Sequence, residues 1–495
     1  MRKESGTFGK KDMRYLLATV TIVLCLFCPS IVKASDLSIE GVEWIRDNAY
    51  NHYKVKFTLS WNNSWNNTRN HDAAWIFIKY ASPSYRQAGY RHAKLRGKGH
   101  QLLYNHIGKS PSPSFEVPED GIGIFIYPSS AYRGNLRWTI ELALDTAVLS
   151  DMNFNPNERL IDVYGIEMVH IPEGAFTLGD PDTAAYRNYT LYRSDGGGKP
   201  AGLWTIASEQ EPIHIGAGVN KMFYYSQQAI YQGDQKGIIP AIFPKGYQAF
   251  YIMKYETSQG EYADFLNSIS NGATHIRANY GGKGYDQNRG TIRMENEKYI
   301  AGSPTRPCNY FSWDDACAYA DWAGLRPLTE LEFEKACRGN STPILHEYPW
   351  NSNNKNKLMR TINAKGDLVW LNGLTEAELT DTSRDQFGAS YYWVMDLAGS
   401  LWERCITVGD STGRDFKGTH GDGVLANYGF ASNSDWPKGS TETAGFGFRG
   451  GGYYEDRMQY GSFNPHSPIA YRNFGAWPGG ARSLAYGSRF VRTSK

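Results

Sequence analysis

Two kinds of hydrophobic pattern run along the first third of the chain. Tyr53-Lys54-Val55-Lys56-Phe57-Thr58-Leu59 alternates apolar and polar residues with a period of two, which predicts a strand with one buried face. Ala74-Trp75-Ile76-Phe77-Ile78 is apolar throughout, the pattern of a central strand. Gly123-Ile124-Phe125-Ile126-Tyr127 and Leu136-Arg137-Trp138-Thr139-Ile140-Glu141-Leu142 give two more strands, and Asn, Gly, Ser and Pro clusters separate them. Short strands punctuated in this way predict an all-β sandwich domain over residues 35–160. Asn62-Asn63-Ser64-Trp65-Asn66-Asn67 reads as a turn, because Asn supplies turn geometry cheaply; as a polar aromatic loop it could also bind glycan.

The period then changes to that of helices. Ser258 and Glu261 make a capping box, followed by Tyr262, Phe265 and Leu266 on one face. Ser312 can cap a second helix with Trp313, Ala316, Cys317 and Ala320 on its apolar face, and Gly324 ends it. Thr329 and Glu332 form a third box ahead of Phe333, Ala336 and Cys337, with Gly339 as terminator. All three faces read as packing surfaces. Residues 181–245, 268–305 and 409–445 are rich in Gly, Asn, Asp and Tyr and are expected to be long loops or insertions. No tandem repeat or heptad pattern is present.

Lys10, Lys11 and Arg14 precede an apolar run over residues 15–31 and a small-residue site at Val32-Lys33-Ala34. This predicts a signal peptide over residues 1–34 and an exported protein in the periplasm, on the outer membrane surface or outside the cell. The run is too short for a spanning helix, and no later stretch could cross a bilayer, so no transmembrane helix is expected after signal removal.

At 495 residues the chain fits two or three domains, and 41% apolar residues suffice for real cores. A net charge of +2 without a basic run excludes general attraction to nucleic acid. Counts of 34 Tyr, 14 Trp and 52 Gly fit either a loop-rich fold pinned by large rings or an ordinary all-β protein. Beyond the leader, Cys308, Cys317, Cys337 and Cys405 match no zinc spacing, and Cys317 and Cys337 read as buried free thiols. His92, His100 and His106 are the nearest histidine cluster and read as surface residues.

Five blocks in order carry a resemblance. They are Gly165-Ile166-Glu167-Met168-Val169-His170-Ile171-Pro172-Glu173-Gly174; Phe250-Tyr251-Ile252-Met253-Lys254-Tyr255-Glu256-Thr257-Ser258; Phe311-Ser312-Trp313 through Ala323-Gly324-Leu325-Arg326-Pro327-Leu328-Thr329-Glu330-Leu331-Glu332; Met395-Asp396-Leu397-Ala398-Gly399-Ser400-Leu401-Trp402-Glu403; and Phe448-Arg449-Gly450-Gly451-Gly452-Tyr453 with Tyr486-Gly487-Ser488-Arg489-Phe490. Residues 161–495 thereby resemble the formylglycine-generating-enzyme (sulfatase-modifying factor) family. The resemblance implies an α+β chain, an irregular C-type-lectin-like fold preceded by the all-β sandwich.

It also implies a site. Catalytic members bind copper through two cysteines after the Arg-Gly-Gly block; those positions fall here near Glu455 and Tyr460, and no cysteine follows Cys405. Carboxylate and phenol oxygens are poor Cu(I) ligands, so no copper and no catalytic residue are expected. A related branch uses a His-x3-His iron motif, and no two histidines here are so spaced. Structural calcium of the family would involve Asn363, Ala364 and Glu403, with Ser400 standing where the family has Asn. Trp402, Arg457, Arg472 and Arg482 are candidates for a cleft that accepts anionic groups. The expected role is binding or scaffolding in the cell envelope, with a protein or glycan partner. Two alternatives stay open: an oxidase of the same family using non-cysteine ligands such as Glu455, and ligand binding by the lectin-like fold.

Overall fold

The computed structural model describes residues 36–47, 52–81, 88–145, 160–227, 229–279, 285–363, 365–439, 443–452 and 466–494. The signal-peptide reading lies outside them.

The first strands are β1 (Ser38–Asp47), β2 (His52–Asn66), β3 (Asp72–Ala81), β4 (Arg91–Ala93), β5 (Gln101–Asn105), β6 (Pro113–Glu116), β7 (Ile124–Pro128), β8 (Tyr132–Ala143) and β9 (Leu160–Ile171). Four of them form one antiparallel sheet in the order β1-β2-β8-β5. The alternating residues Val55, Phe57 and Leu59 of β2, with Trp138, Ile140 and Leu142 of β8, turn their apolar side toward Ala74, Ile76 and Ile78 of β3.

β3 belongs to a second, eight-stranded sheet. Its path runs Arg326–Pro327, Phe490–Thr493, Phe250–Met253, β9, β3, β7, β6, with β4 on β3. β3 pairs with β9 along its whole length, from Asp72 opposite Val169 to Ala81 opposite Leu160. Here the structure departs from the expectation of a self-contained N-terminal sandwich: the sheet passes straight across residue 160. The reason lies in the continuous apolar run of β3. Its other face, Ala73, Trp75 and Phe77, joins a core with Phe265, Tyr319 and Trp322 from the second half of the chain. A strand buried on both sides needs a layer on each, and the second layer comes from residues far downstream.

Asn62 to Asn67 is also not a turn, since β2 runs through to Asn66 with a bulge between Trp61 and Ser64. Buried Asp72 organises it, accepting from Ser64 Oγ at 2.7 Å, Trp65 N at 3.0 Å and Trp61 Nε1 at 3.0 Å. Trp65 is buried against Trp393, so this segment offers no exposed aromatic for a glycan.

The three helices form as their caps dictate. Gln259–Ser268, Trp313–Trp322 and Glu330–Arg338 each begin with a complete capping box, on Ser258, Ser312 and Thr329. Gly324 follows the second with a φ of 70°, the left-handed conformation that a terminator requires. The presumed insertions are partly ordered: short strands between Tyr192 and Ile239 build a five-stranded sheet, and Ile292–Glu295 pairs with Lys298–Ala301. Strands of two to four residues carry no readable period. Helices and sheets together make an α+β molecule, and among the described residues no helix is long and apolar enough to cross a membrane.

Candidate functional site

A short sheet lies at the centre of the motif-bearing region. Strand Trp402–Ile406 pairs antiparallel with Phe446–Arg449 and parallel with Tyr486–Gly487. From Arg449 the chain leaves through Gly450 and Gly451, at φ 92° and 86°, where side chains would be strained. The backbone at Gly452 lies so close to the indole of Trp402 that a Cβ there would sit 2.7 Å from Cδ1. Glycines let the chain cross that ring.

Buried acids and guanidiniums brace this crossing. The Glu330–Arg338 helix presents Glu330 and Glu334 one turn apart. Arg449 donates Nη2 to Glu330 at 2.7 Å and reaches Glu334 at 3.3 Å, while Nη1 holds the Ile469 carbonyl at 3.0 Å. Arg472 adds Nε and Nη2 to Glu330 at 2.6 and 3.0 Å. Burial pushes the Glu330 carboxyl up, but Arg472 and Arg449 together outweigh it and bring the pKa to about 2. Arg489 grips both oxygens of Glu403 in the same way. Helix, strand and the 469–472 segment are thereby clamped together.

Several sequence expectations change place. Glu455, Arg457 and Tyr460 lie outside the described residues. Arg472 lines no cleft; it is fully buried on Glu330. Arg482 is likewise engaged, donating Nε and Nη2 to Asp315 at 2.8 Å each and Nη2 to the Ile276 carbonyl at 2.9 Å. The anion these guanidiniums were expected to bind is the protein's own carboxylate in both cases. Trp402 is a floor residue, 2% exposed, with its ring against Phe474.

The calcium segments fit a hard cation poorly. The Asn363 side-chain oxygen already accepts from Lys365 N at 2.9 Å and Asp367 N at 3.0 Å, and Ala364 lies outside the described residues. Glu403 has both oxygens on Arg489, and a second guanidinium, Arg360, lines the same cavity as Ser400. Such a site offers positive charge where calcium needs free oxygen. Among the described residues no group of three or more His, Cys, Asp or Glu side chains is placed to hold a metal ion. His92 is buried and bonded to the Ile122 carbonyl, a correction to its surface assignment; His100 meets the Arg96 carbonyl and His106 the Thr139 hydroxyl, so the three do not converge. Cys308, Cys317, Cys337 and Cys405 are free and buried, and burial raises each thiol well above its usual range.

One feature carried no signal in the sequence. A cavity of about 230 Å³ opens between the Arg360–Ile362/Leu368–Trp370 hairpin and the turn at residues 396–400, lined among others by Arg360, Asp396, Ser400 and His466. Arg360 and Asp396 form a buried ion pair within it. Asp396 and Ser400 both adopt left-handed φ of 61°.

The sequence pattern of the sulfatase-modifying factor enzyme 1-like domain matches residues 211–469. The chain is similar to the formylglycine-generating enzyme of Thermomonospora curvata, 33% identical over 107 residues, 21% of this chain and 35% of that protein. It is similar to the formylglycine-generating enzyme of Bos taurus, 26% identical over 248 residues, 45% of this chain and 63% of that one. It is also similar to the inactive C-alpha-formylglycine-generating enzyme 2 of Mus musculus, 30% identical over 116 residues, 22% of this chain and 35% of that protein. In each case the match spans less than two thirds of the relative's length.

Proposed function

The chain belongs to the sulfatase-modifying factor family, and on that premise we propose that it is an exported binding or scaffold member that does not oxidise cysteine with copper. The observation that carries this reading is the thiol inventory. No cysteine follows Cys405, so the segment after Gly452 has none to offer a metal. The four thiols of the described region are buried, and burial keeps them protonated. Cuprous ion is bound by soft thiolates, and neither Glu455 nor Tyr460 supplies one. Similarity to a relative whose name calls it inactive is consistent with this role.

Export rests on the leader pattern of residues 1–34, and a lectin-like arrangement of the family region rests on the five ordered blocks amid much irregular chain. The partner in this reading is a protein or glycan of the cell envelope. The competing oxidase reading needs a metal on Glu455 and its neighbours. The test is incubation of the copper-loaded full chain with a cysteine-containing sulfatase peptide, read by mass spectrometry. The peptide is expected to stay unchanged; conversion to formylglycine overturns the proposal. Metal analysis of chain purified without chelator addresses the competitor, which predicts a stoichiometric transition metal.

A further inference from the structure

A groove of about 710 Å³ opens where three distant parts of the chain meet: the loop 423–429, the segment 88–92 with Tyr80 of β3, and the segment 268–273 that leads into the helix Asn271–Arg277. These parts are tied to one another. Tyr90 N donates to the Ser268 carbonyl at 2.8 Å, the Lys79 ammonium donates to the Gly423 carbonyl at 2.9 Å, and Gly429 lies so near Ala273 that a Cβ on it would sit 2.6 Å from the alanine methyl. The space between them is therefore held by a fixed frame. Tyr428 lines it, 69% exposed, at φ 60° and ψ 19°. A bulky residue rarely adopts that left-handed conformation, and such outliers gather at binding sites. Among the described residues no hydrogen bond or ring contact engages the side chain of Tyr428, or the exposed amide of Asn427 beside it.

We propose that this groove binds a short neutral oligosaccharide, with the Tyr428 ring as its stacking platform and the Asn427 amide as its hydrogen-bonding group. The volume lies within the roughly 300–1,000 Å³ of small-ligand sites. Charge sets the class of ligand. Among the described lining residues Arg91 alone is charged at neutral pH, because burial and the neighbouring Lys79 push His92 well below its usual range. A strongly acidic or basic ligand finds no set of counter-charges there. A sugar ring offers C–H faces to an aromatic and, at its edge, hydroxyls that both donate and accept. An exposed tyrosine ring beside a carboxamide, which also donates and accepts, matches both features. Val424, 57% exposed, adds apolar surface on the same loop. A proline-rich segment is the other neutral ligand of aromatic grooves, but its prolines donate nothing to the Asn427 oxygen. The choice of a glycan rests on the binding-member reading above. Conversion of the sulfatase peptide would end that reading, while the groove, which shares no residue with the Arg449 to Gly452 crossing, is decided by its own titrations.

The probes are cellohexaose, chitohexaose, mannohexaose and decaproline, each titrated into the full chain by calorimetry and nuclear magnetic resonance. Saturable binding of at least one oligosaccharide is expected, and none of decaproline. Tyr428→Asn removes the ring and keeps a residue that tolerates left-handed backbone; it is expected to weaken the bound oligosaccharide by at least about tenfold. Asn427→Ala is expected to weaken it as well. Both side chains are exposed, so both variants should fold, which circular dichroism checks. Tyr104→Ser removes another exposed tyrosine, on β5 and outside the groove, and is expected to leave binding unchanged. Loss in the two groove variants with retention in Tyr104→Ser supports the site. Failure of all three oligosaccharides to bind, preference for decaproline, undiminished binding in Tyr428→Asn, or an equal loss in Tyr104→Ser each overturn it.

Discussion

Arg489 closes both Nε and Nη2 on the two carboxylate oxygens of Glu403, at 2.6 and 2.7 Å, in a site where neither side chain is more than 1% exposed. The same guanidinium donates to the carbonyls of Met253 and Lys254, so one residue near the end of the chain ties the central sheet to the strand Phe250–Met253. Glu256 stands beside Glu403 and shares the need for that cation. Arg489→Met should therefore destabilise the fold by about 3–5 kcal/mol, the cost of leaving a buried carboxylate unpaired. The Arg489→Met/Glu403→Gln pair should recover part of the loss, because it removes the orphaned charge as well. Urea unfolding of the wild type, Arg489→Met, Glu403→Gln and the double variant measures this; additive losses from the two single variants would show that the pair is not coupled.

His71 and His170 stack face to face at 4.7 Å, with Tyr251 bonded to the His71 ring at 3.1 Å. Burial, and for His71 the neighbouring His170, lower the pKa values to about 3 and about 4. The unfolded chain protonates near the ordinary 6.5, so below that pH it binds protons that the folded chain refuses. Stability contributed by the neutral rings is present above about 6.5 and is lost as pH falls toward the folded values. His71→Phe should flatten the dependence of stability on pH between roughly 6 and 4 by about 1 kcal/mol per unit. Denaturant melts at several pH values test the slope, and an unchanged slope removes His71 from the titration.

The local parts of this structure were legible in the sequence. Capping boxes at Ser258, Ser312 and Thr329 are written within four residues, and the period of β2 and β8 within seven or so. What could not be read was pairing at a distance. Ala74 to Ile78 announces a strand with two buried faces, but nothing in those residues names β9 as its neighbour. Arg472 and Arg482 have the composition of an anion cleft, and only the fold brings Glu330 and Asp315 against them. The Asn-rich stretch of β2 misled for a similar reason: its Asn residues mask the buried Ser64 and Trp65, whose partner Asp72 lies beyond the bend. The Arg360 cavity joins two segments, one of which belongs to no motif.

Cys308, Cys317, Cys337 and Cys405 are buried and protonated. A thiol reagent attacks the thiolate, so none of the four should label in the native protein, and all should label in denaturant. Intact and peptide mass spectrometry distinguish the sites. Rapid native labelling of any one would mean an accessible thiolate and would reopen copper chemistry for this chain.

The shared sheet makes the sharpest claim about domain organisation. If residues 161–495 formed a body of their own, they would fold without what precedes them. In this structure they would lose β3 from the edge of β9, and with it Trp75, whose Nε1 donates to the Ala323 carbonyl at 2.8 Å and whose ring packs on Phe125. Asp120 would vanish from Arg492, leaving a buried guanidinium without its carboxylate. Phe77 would leave the rings of Tyr164 and Trp322 facing water. An uncovered strand edge beside exposed aromatics favours aggregation. The 161–495 fragment should thus be insoluble or lack a cooperative melt, while the chain from residue 35 should unfold in one transition. Trp75→Ala in the longer chain should lower stability by about 3–5 kcal/mol and shift that whole transition, not a part of it. Calorimetry decides: a fragment melting cooperatively at the temperature of the full chain, or two separate transitions in the longer one, would show that the two halves are independent after all.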